Sequence, residues 1–492
     1  MVIKPQTIIL IGVGLYVTLM LVVGLLATSK SNSIGDFAIS GRNMSLTVCS
    51  ISIVATWFGA GPLMGSAAAA YSGNTLEVLR DPIVSGISLL IAGFFFARTY
   101  RRSKRITHIG FYDARIGHFA SVMSAMVGII SGILWLAAIL FSFGVVFETL
   151  TGQPAALGLI CGTAVIAVYT MFGGLKAVAA TDVFQMAFIV LGVSVLFFVV
   201  LDDANGWSAV VKQLPDHAFD FSPQGATFTD RLDYFQVWFS SGLVAISSIS
   251  VVQRAMASRT EQVAQNSFYI AGVVYLVFGM VPITLGYIAA TTMPGVEDPN
   301  AIIPLLAIEH LHPILVAIFV GAVVSAIMST SDSILLGIGA LCSVNLLPRV
   351  INNPTEKLSL AVARWSIPFV ASLALWRAFN TSSVIGGIGD AVAIGFAGMS
   401  GPYLLVIWWS KLTSIGGYAG IGAGFIAFMT SAAILPNLPA SLVAFVMSLI
   451  TSVIVSLATQ KISPPKPLTD NDDKAMSLTN RFGTLPLFRK VD

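Results

Sequence analysis

Long apolar runs constrain this 492-residue sequence more than any other feature. A bilayer core about 30 Å thick is crossed by a helix of roughly 20 apolar residues. A window of that length fits thirteen segments, so the predicted fold is an all-α integral membrane protein with thirteen transmembrane helices. In chain order they cover residues 6–27, 45–71, 77–98, 119–150, 155–172, 175–202, 231–257, 263–291, 313–345, 358–379, 384–410, 414–434 and 438–460.

The composition excludes several classes of protein. Charged residues make up 10% of the chain, against about 25% in soluble domains, so a water-soluble globule is excluded. A net charge of +3 over 492 residues forms no face that could follow a phosphate backbone, so no nucleic-acid partner is expected. The three cysteines show no disulfide or metal-ligand spacing, and the sequence has no G-x-x-x-x-G-K-[S/T] phosphate loop. We therefore expect no organic cofactor and no ATP hydrolysis by the chain itself.

Basic residues predict the orientation in the membrane. The segment 98–105 after the third predicted helix reads R-T-Y-R-R-S-K-R, and loops rich in Lys and Arg lie in the cytoplasm. We therefore expect a multi-pass protein of the plasma (inner) membrane, with its N-terminus outside. Residues 1–460 form one transmembrane domain, and residues 461–492 form a flexible cytoplasmic tail. Alternating thirteen crossings leaves five basic residues outside: Lys4, Arg80, Lys212, Arg231 and Arg377.

The layout of the helices suggests an internal repeat. Predicted helices 4 and 9 are both about 32 residues long and lie five helices apart. Helices 2 and 7, also five apart, are the ones most interrupted by small or polar residues. Because five is odd, the two halves would be inserted upside down relative to each other. This is the plan of inverted-repeat secondary transporters, whose paired broken helices mark the binding site.

The sequence of predicted helix 2 favours a break, because residues 55–65 read A-T-W-F-G-A-G-P-L-M-G. Pro62 has no backbone N–H for the carbonyl of Phe58, and Gly59 and Gly61 tolerate non-helical dihedral angles. Carbonyls freed at mid-bilayer cost several kcal/mol unless protein, water or an ion satisfies them. The segment therefore predicts either a cation site or a kink at which small residues pack closely.

Predicted helix 9 carries polar oxygens on one face. Residues 326–336 read A-I-M-S-T-S-D-S-I-L-L, and positions 326, 329, 330 and 333 follow the spacing of a single helical face. Hard oxygen ligands without nitrogen or thiolate suit an alkali cation. The alternative is that the hydroxyls bond back to their own helix. The oxygens are the carbonyl of Ala326 and the hydroxyls of Ser329, Thr330 and Ser333, with Asp332 beside them.

Three acidic residues, Asp182, Asp332 and Asp390, lie well inside predicted helices. Each would cost about 2.5 to 3.5 kcal/mol if it faced lipid, so each is expected to face the interior, water or a counter-ion. No Lys or Arg lies deep in a predicted helix, so the expected partner is mobile: a sodium ion or a proton.

Two tryptophans, Trp57 and Trp135, lie near the middle of predicted helices. Interfacial Trp would lie at the helix ends. Beside a cation-binding break, the two indoles are consistent with a cation–π wall for an organic ammonium group, which is worth about 2 kcal/mol when desolvated. Ordinary packing is the alternative.

These motifs resemble the sodium/solute symporter family over about the first twelve predicted helices, and the chain is most similar to its high-affinity choline transporter branch. The matching segments are G-R at 41–42, A-T-W-F-G-A-G at 55–61, L-W-L-A-A-I at 134–139, G-G-L at 173–175, T-D-V-F-Q at 181–185, V-Q-R at 252–254 and M-S-T-S-D-S at 328–333.

The resemblance implies a ten-helix inverted-repeat core of the leucine-transporter type, working by alternating access. The core would be helices 2–11, near residues 45–434, with helix 1 peripheral and helices 12 and 13 at the end of the domain. One implied sodium site consists of the carbonyls of Ala55, Phe58 and Ala326 and the hydroxyls of Ser329 and Thr330. A second site, present in some members, would consist of Asp182, Ser329, Asp332 and Ser333.

The resemblance also implies a set of solute-binding residues. In the choline branch aromatic residues enclose a quaternary ammonium group, and Trp57 and Trp135 match two of them. The aromatic positions expected in helices 3 and 7 are Ser85 and Ser248 here, and Asp390 matches an acidic position of that branch. The implied solute site is Trp57, Gly59, Gly61, Ser85, Trp135, Ser248 and Asp390.

The expected function is sodium-coupled symport of a small polar or cationic organic solute, with a choline-like amine favoured. One or two sodium ions would move with it, through a lipid-embedded monomer or dimer. Alternatives are a sodium symporter for an amino acid, carboxylate or sugar, and a solute sensor or channel built on a transporter fold. A membrane enzyme is disfavoured, because no His lies inside the predicted core and no Cys lies beside one.

Overall fold

Helices form all the named secondary structure of this protein. The structure, a computed structural model, describes residues 5–27, 33–223, 227–397, 399–435 and 437–476, and these ranges contain no named strand. Several helices begin at a threonine cap: the hydroxyls of Thr260, Thr355 and Thr413 each accept a backbone N–H from the first turn that follows. Such caps satisfy amide groups that a helix start leaves without partners.

Among the described residues, eight helices are long and apolar enough to cross a membrane. They are Thr7–Gly24, Thr75–Phe95, His118–Thr151, Ala155–Asp203, Glu261–Thr292, Pro313–Val350, Glu356–Ala378 and Ala440–Thr459. Three bent helix pairs pass the same test together. They are Leu46–Trp57 with Gly61–Tyr71, Phe228–Ser247 with Ile249–Ala257, and Val384–Ala397 with Ser400–Trp408. The chain is therefore a multi-pass membrane protein.

The helix Ala155–Asp203 covers two of the predicted crossings. Its 49 residues would extend roughly 74 Å as a straight helix, more than twice the thickness of a bilayer core. The helix is interrupted at Gly174, which has φ 62° and ψ −176°. A Cβ atom at that position would lie 2.9 Å from the carbonyl oxygen of Phe37, so a side chain would clash there.

Length and hydropathy alone support between eight and eleven spans. A total of thirteen spans requires that Ala155–Asp203 crosses the membrane twice and that Ser414–Ile434 crosses it once. The number thirteen therefore stays a prediction. The eleventh predicted helix ends at Trp408. The bound of 434 given for helices 2–11 is therefore wrong, because it includes Ser414–Ile434, the twelfth predicted helix.

The two helices with the most interrupted sequences are both broken. The first broken helix, Leu46–Trp57 with Gly61–Tyr71, bends by 51°. The second broken helix, Phe228–Ser247 with Ile249–Ala257, bends by 41° at Ser248, whose φ of −66° and ψ of 118° are those of an extended residue. Gly and Pro account for the first break, and both breaks fall where the sequence predicts them.

The helix Pro313–Val350, here called the long helix, lies at the centre of the protein. In its most apolar stretch 78% of the residues are buried, against 22% in Thr7–Gly24. The first helix is therefore peripheral. The hydroxyl of Ser331 in the long helix bonds back to the carbonyl of Ile327 at 2.7 Å, and that of Thr330 lies 3.1 Å from the carbonyl of Ala326, so back-bonding within the helix occurs at both positions.

Residues 461–476 pack against the basic segment that follows the third predicted helix. Lys104 Nζ lies 2.6 Å from Asp472 and 3.2 Å from Asp470, and these hydrogen bonds raise the pKa of Lys104. The Asn471 amide donates to the Ser103 carbonyl at 2.9 Å. These contacts hold residues 469–472 against the basic segment, and the flexibility of the rest of the tail stays a prediction. Residues 477–492 lie outside the described residues.

Candidate ion and solute sites

The break in the first broken helix frees two backbone carbonyls. In a continuous helix the Gly59 amide would donate to Ala55, but here it donates to the Trp57 carbonyl at 3.0 Å. The carbonyl of Phe58 would accept from residue 62, which is Pro62 and has no N–H. The carbonyl oxygens of Ala55 and Phe58 are therefore released from their helical donors.

The long helix meets this break directly. The Thr330 hydroxyl lies 3.0 Å from the carbonyl oxygen of Thr56 and 3.1 Å from that of Ala326. A Cβ atom at position 59 would lie 2.3 Å from the Thr330 hydroxyl, so only glycine allows this approach. Oxygen atoms of the two helices therefore lie together in the interior, as the predicted cation site requires.

Three charged residues beside this junction, Asp182, Arg254 and Asp332, form what we call the charge cluster. All three are 0% exposed. The hydroxyls of Ser52 and Ser329 donate to the two carboxylate oxygens of Asp182, each at 2.5 Å. The Arg254 guanidinium lies 3.5 Å from the same carboxylate. Hydrogen bonds of this kind are needed to keep an ionised carboxylate in the interior.

The second carboxylate of the charge cluster has its own partners. The Tyr169 hydroxyl donates to Asp332, and the Ser333 hydroxyl donates to its other oxygen at 3.1 Å. Arg254 donates to the Ser333 hydroxyl at 2.5 Å. With both carboxylates ionised, two negative charges face one positive charge, so the charge cluster can take up one monovalent cation.

The buried Arg254 corrects the expectation that no basic residue lies deep in a helix. Its helix, Ile249–Ala257, follows the bend at Ser248, and the bend turns the side chain inward. The sequence singled out V-Q-R at 252–254 as a matching motif, but it placed Arg254 near the membrane surface. The depth of this residue depends on the 41° bend, which a straight-helix count does not include.

Two cavities meet at a pair of indole rings. We call the cavity lined by His108 and Tyr112, near the basic segment, the inner cavity. We call the cavity lined by Arg80 and Asp81 the outer cavity. The rings of Trp57 and Trp135, which line both, are 6.0 Å apart between centroids and inclined at 48°. The other residues shared by both walls are Val244, Thr330 and Val392.

The structure distributes the predicted solute-binding residues over these cavities. Gly59, Gly61 and Ser85 line the outer cavity, and Ser248 lines the inner one. Asp390 is exposed and lines neither cavity. The structure thus assembles six of the seven predicted residues around one passage and leaves Asp390 outside it.

Sequence reasoning missed several residues of these cavities. Asp81, Arg80 and Tyr275 line the outer cavity, and Tyr403 lines the inner cavity with His108. Burial lowers the pKa of His108 to about 3, so its ring is neutral at physiological pH. Of these residues, only Asp81 could have been found from the sequence, because it is a carboxylate four residues inside the predicted helix 77–98.

The donor set of this region suits an alkali cation. Within the described part of the chain, no group of three or more His, Cys, Asp or Glu side chains is arranged to hold a metal ion. The oxygens at the helix junction are carbonyls and hydroxyls, which match a hard monovalent cation and not a transition metal. Broken helices, buried oxygens and a cavity on each side of one aromatic pair together define an ion-coupled membrane transporter.

The chain belongs to the sodium:solute symporter family, whose profile matches residues 37–424. The family predicted from the sequence is thus confirmed. The chain is 26% identical over 473 residues to the osmoregulated proline transporter OpuE of Bacillus subtilis, covering 92% of this chain and 95% of that protein. It is 25% identical over 469 residues to the high-affinity choline transporter 1 of Caenorhabditis elegans, covering 88% of this chain and 79% of that protein.

A solved structure shares the fold. A substrate-bound, outward-open Na⁺-coupled sialic acid symporter superposes with a TM-score of 0.80 at 17% identity, covering 93% of this chain and 99% of that chain. As a member of the sodium:solute symporter family, the protein is a membrane transporter and not an enzyme, and its transported partners are sodium and a solute. Relatives of two solute classes match at nearly equal identity.

Proposed function

We propose that this protein imports a small polar or cationic organic solute together with sodium by alternating access, and that a choline-like amine is favoured. The observation that carries the proposal is the junction between the long helix and the first broken helix. There the Thr330 hydroxyl contacts the Thr56 carbonyl at 3.0 Å, beside two carbonyls that have lost their helical donors.

The first sodium ion would bind at this junction. Its ligands would be the carbonyls of Ala55, Phe58 and Ala326 and the hydroxyls of Ser329 and Thr330. The supporting observations are the freed carbonyls and the complete burial of Ala326 and Ser329. An ion here would bridge two helices, so its binding would favour conformations in which they stay together.

A second cation would bind at the charge cluster, on Asp182, Ser329, Asp332 and Ser333. With both carboxylates ionised the cluster has one excess negative charge, which supports this assignment, and a proton could replace the second sodium ion. One sodium ion gains about 2.3 kcal/mol across 100 mV, and a tenfold gradient adds roughly 1.4 kcal/mol. Two ions would therefore supply about 7 kcal/mol for uphill transport.

The proposed orientation places the N-terminus outside and the C-terminus in the cytoplasm. The basic segment supports the choice of side, and the contact between residues 461–476 and Lys104 requires the tail and this segment to lie on the same side of the membrane. An even number of crossings must therefore separate them. The predicted topology has ten crossings in this interval, from His118–Thr151 to Ala440–Thr459. The single chain is the proposed unit, because it contains both cavities and the charge cluster.

A matched pair of variants tests the sodium assignment. Ser329→Ala removes a proposed ligand, whereas Ser331→Ala removes a buried hydroxyl that bonds only back to Ile327. We expect Ser329→Ala to weaken sodium affinity about tenfold, equal to roughly 1.4 kcal/mol, and Ser331→Ala to leave it unchanged. The measurement is thermal stabilisation of purified protein by sodium, with potassium as the reference salt. Equal sodium affinity in both variants would show that Ser329 is not a sodium ligand.

The second candidate is sodium symport of an amino acid, which the proline-transporting relatives favour. Sodium-dependent stabilisation by choline but not proline would support the first candidate, and the reverse result would support the second. Stabilisation by neither solute, together with no difference between sodium and potassium, would contradict both.

A further inference from the structure

The outer cavity contains a charged residue that the proposed function does not yet use. Among the described residues that line the two cavities, Asp81 is the only carboxylate and Arg80 is the only Lys or Arg. The lining of the inner cavity is aromatic, aliphatic and hydroxyl-bearing, apart from His108. A solute that enters from outside therefore meets a carboxylate on its way to the two indoles.

The carboxylate of Asp81 is held in one position. The Tyr275 hydroxyl donates to Asp81 Oδ1 at 2.6 Å. Tyr275 itself is buried and packs edge-on against the ring of Phe58, with centroids 6.1 Å apart. The other oxygen, Oδ2, faces the break, because a Cβ atom at Gly61 would lie 3.0 Å from it. Asp81 is thus oriented between the first broken helix and the cavity.

With Asp81 ionised, the charges around it sum to one negative charge. Arg80 Nε lies 3.0 Å from the carboxylate of Glu77, and both side chains are 20% exposed. Glu77 therefore balances the charge of Arg80, and Asp81 is left as the unbalanced group. A cavity with one unbalanced negative charge favours a monovalent cation over a neutral or anionic solute.

Aromatic rings complete the site. The ring of Tyr275 lines the outer cavity together with those of Trp57 and Trp135. Ring faces attract alkylammonium groups, and a nearby carboxylate adds charge complementarity. Tyr275 therefore supplies an aromatic wall in the cavity where the expected aromatic position is Ser85.

We propose that Asp81, held by Tyr275, binds the positively charged nitrogen of the solute in the outer cavity. This inference rests on the proposed transport function and adds the chemical class of its solute: an alkylammonium compound. The nitrogen could belong to a monocation such as choline or to a zwitterion such as glycine betaine. The unbalanced charge of Asp81 selects the monocation.

The test compares choline with its neutral isostere, 3,3-dimethylbutan-1-ol, on purified full-length protein in sodium. The rings alone should favour choline by about 30-fold, the range of a desolvated cation–π contact, and we expect the Asp81 carboxylate to raise the preference of wild-type protein about tenfold further. Asp81→Asn should lose this further tenfold and leave stabilisation by sodium alone unchanged. Asp216→Asn, which removes an exposed carboxylate of the external loop, is the matched control and should retain the full preference.

Two further measurements test the hydrogen bond from Tyr275 and the choice between a monocation and a zwitterion. Tyr275→Phe keeps the ring but removes the hydrogen bond, so choline affinity should fall less than in Asp81→Asn. Glycine betaine should bind more weakly than choline to wild-type protein, and tighter binding of glycine betaine would overturn the assignment to a monocation.

Two outcomes overturn the inference itself. One is a choline preference in Asp81→Asn equal to that of wild-type protein. The other is sodium-dependent binding of proline or glucose by wild-type protein that binds neither choline nor tetramethylammonium. Failure of the proposed function would look different, because wild-type protein would then show no difference between sodium and potassium with any of these probes.

Discussion

The charge cluster and the two cavities are adjacent, but they are built from different kinds of side chain. In the cluster, Asp182, Arg254 and Asp332 are completely buried and hydrogen-bonded to one another or to hydroxyls. The cavities are walled mainly by aromatic and small residues, with charge confined to the outer one. Under the proposed assignments, ion coupling and solute recognition use separate sets of residues, and mutation should separate them.

Two threonines connect the regions. Thr56 lines the inner cavity, and its hydroxyl lies 3.1 Å from that of Ser333 beside the cluster. Thr330 lines both cavities and contacts the Thr56 carbonyl. These two side chains are the direct contacts through which ion binding could affect solute binding. The following predictions test whether the two regions can be altered separately.

The largest effect is expected from Arg254→Gln. The change leaves two buried carboxylates without a counter-charge, and removing one partner of a buried ion pair costs about 3 to 5 kcal/mol. We expect a strongly reduced unfolding temperature of the detergent-solubilised protein. Adding Asp182→Asn to the same protein should recover part of the loss. A single variant as stable as wild-type protein would show that the cluster does not depend on its arginine.

The next largest effect is expected from Trp57→Ala in the aromatic pair. Loss of a desolvated indole face costs about 2 kcal/mol in binding an ammonium group, so choline affinity should fall roughly 30-fold. Stabilisation by sodium should change little, because the carbonyls of the break belong to the backbone. Trp365→Ala, which alters a Trp that is 67% exposed, serves as control. Equal loss of sodium and solute binding would indicate a folding defect. It would also contradict the separation of ion binding from solute binding.

His108 gives a pH-dependent effect in the inner cavity. Its pKa is about 3 in the folded protein, because of burial, and about 6.5 in an unfolded chain. Below pH 6.5 the unfolded chain gains a proton that the folded protein does not, so stability falls by about 1.4 kcal/mol per pH unit. His108→Gln should remove this contribution, about 2 kcal/mol between pH 6.5 and pH 5, in thermal unfolding scans. His217→Gln, at an exposed position, is the control; identical pH profiles for wild type and His108→Gln would contradict a buried neutral ring.

The smallest effect is expected at the tail. Lys104→Ala removes the ion pairs with Asp470 and Asp472, which are partly open to water. The unfolding temperature should stay nearly constant, and residues 461–476 should become more accessible to an added protease. Salt should act in the same direction on wild-type protein, because the Debye length falls to about 3 Å at 1 M. Unaltered cleavage under both conditions would show that backbone contacts alone hold the tail.

Much of the helical framework could be predicted because it depends on local properties. Every predicted apolar range overlaps a helix, from Pro5–Ala27 to Ala440–Thr459. The break at Gly59 to Pro62 follows from the backbone chemistry of glycine and proline. The meeting of this break with the long helix is implied only by the resemblance to the sodium/solute symporter family, because a shared helical face does not specify what packs against it; the structure shows the contact at Thr330.

The remaining features depend on tertiary geometry. Arg254 is deep because its helix bends at Ser248, and no property of the segment itself fixes that angle. Tyr275 looks like ordinary packing within Glu261–Thr292 until the structure brings it to Asp81. Conversely, Asp390 lies in the expected helix but on its exposed side, and an apolar run does not specify which side faces the cavities.

The wall of two indoles shared by both cavities has a practical consequence for pharmacology. A compound bound between the rings of Trp57 and Trp135 would block the inner and the outer cavity at once. Such a blocker would stop exchange as well as net import, because both processes require the solute to pass the two rings.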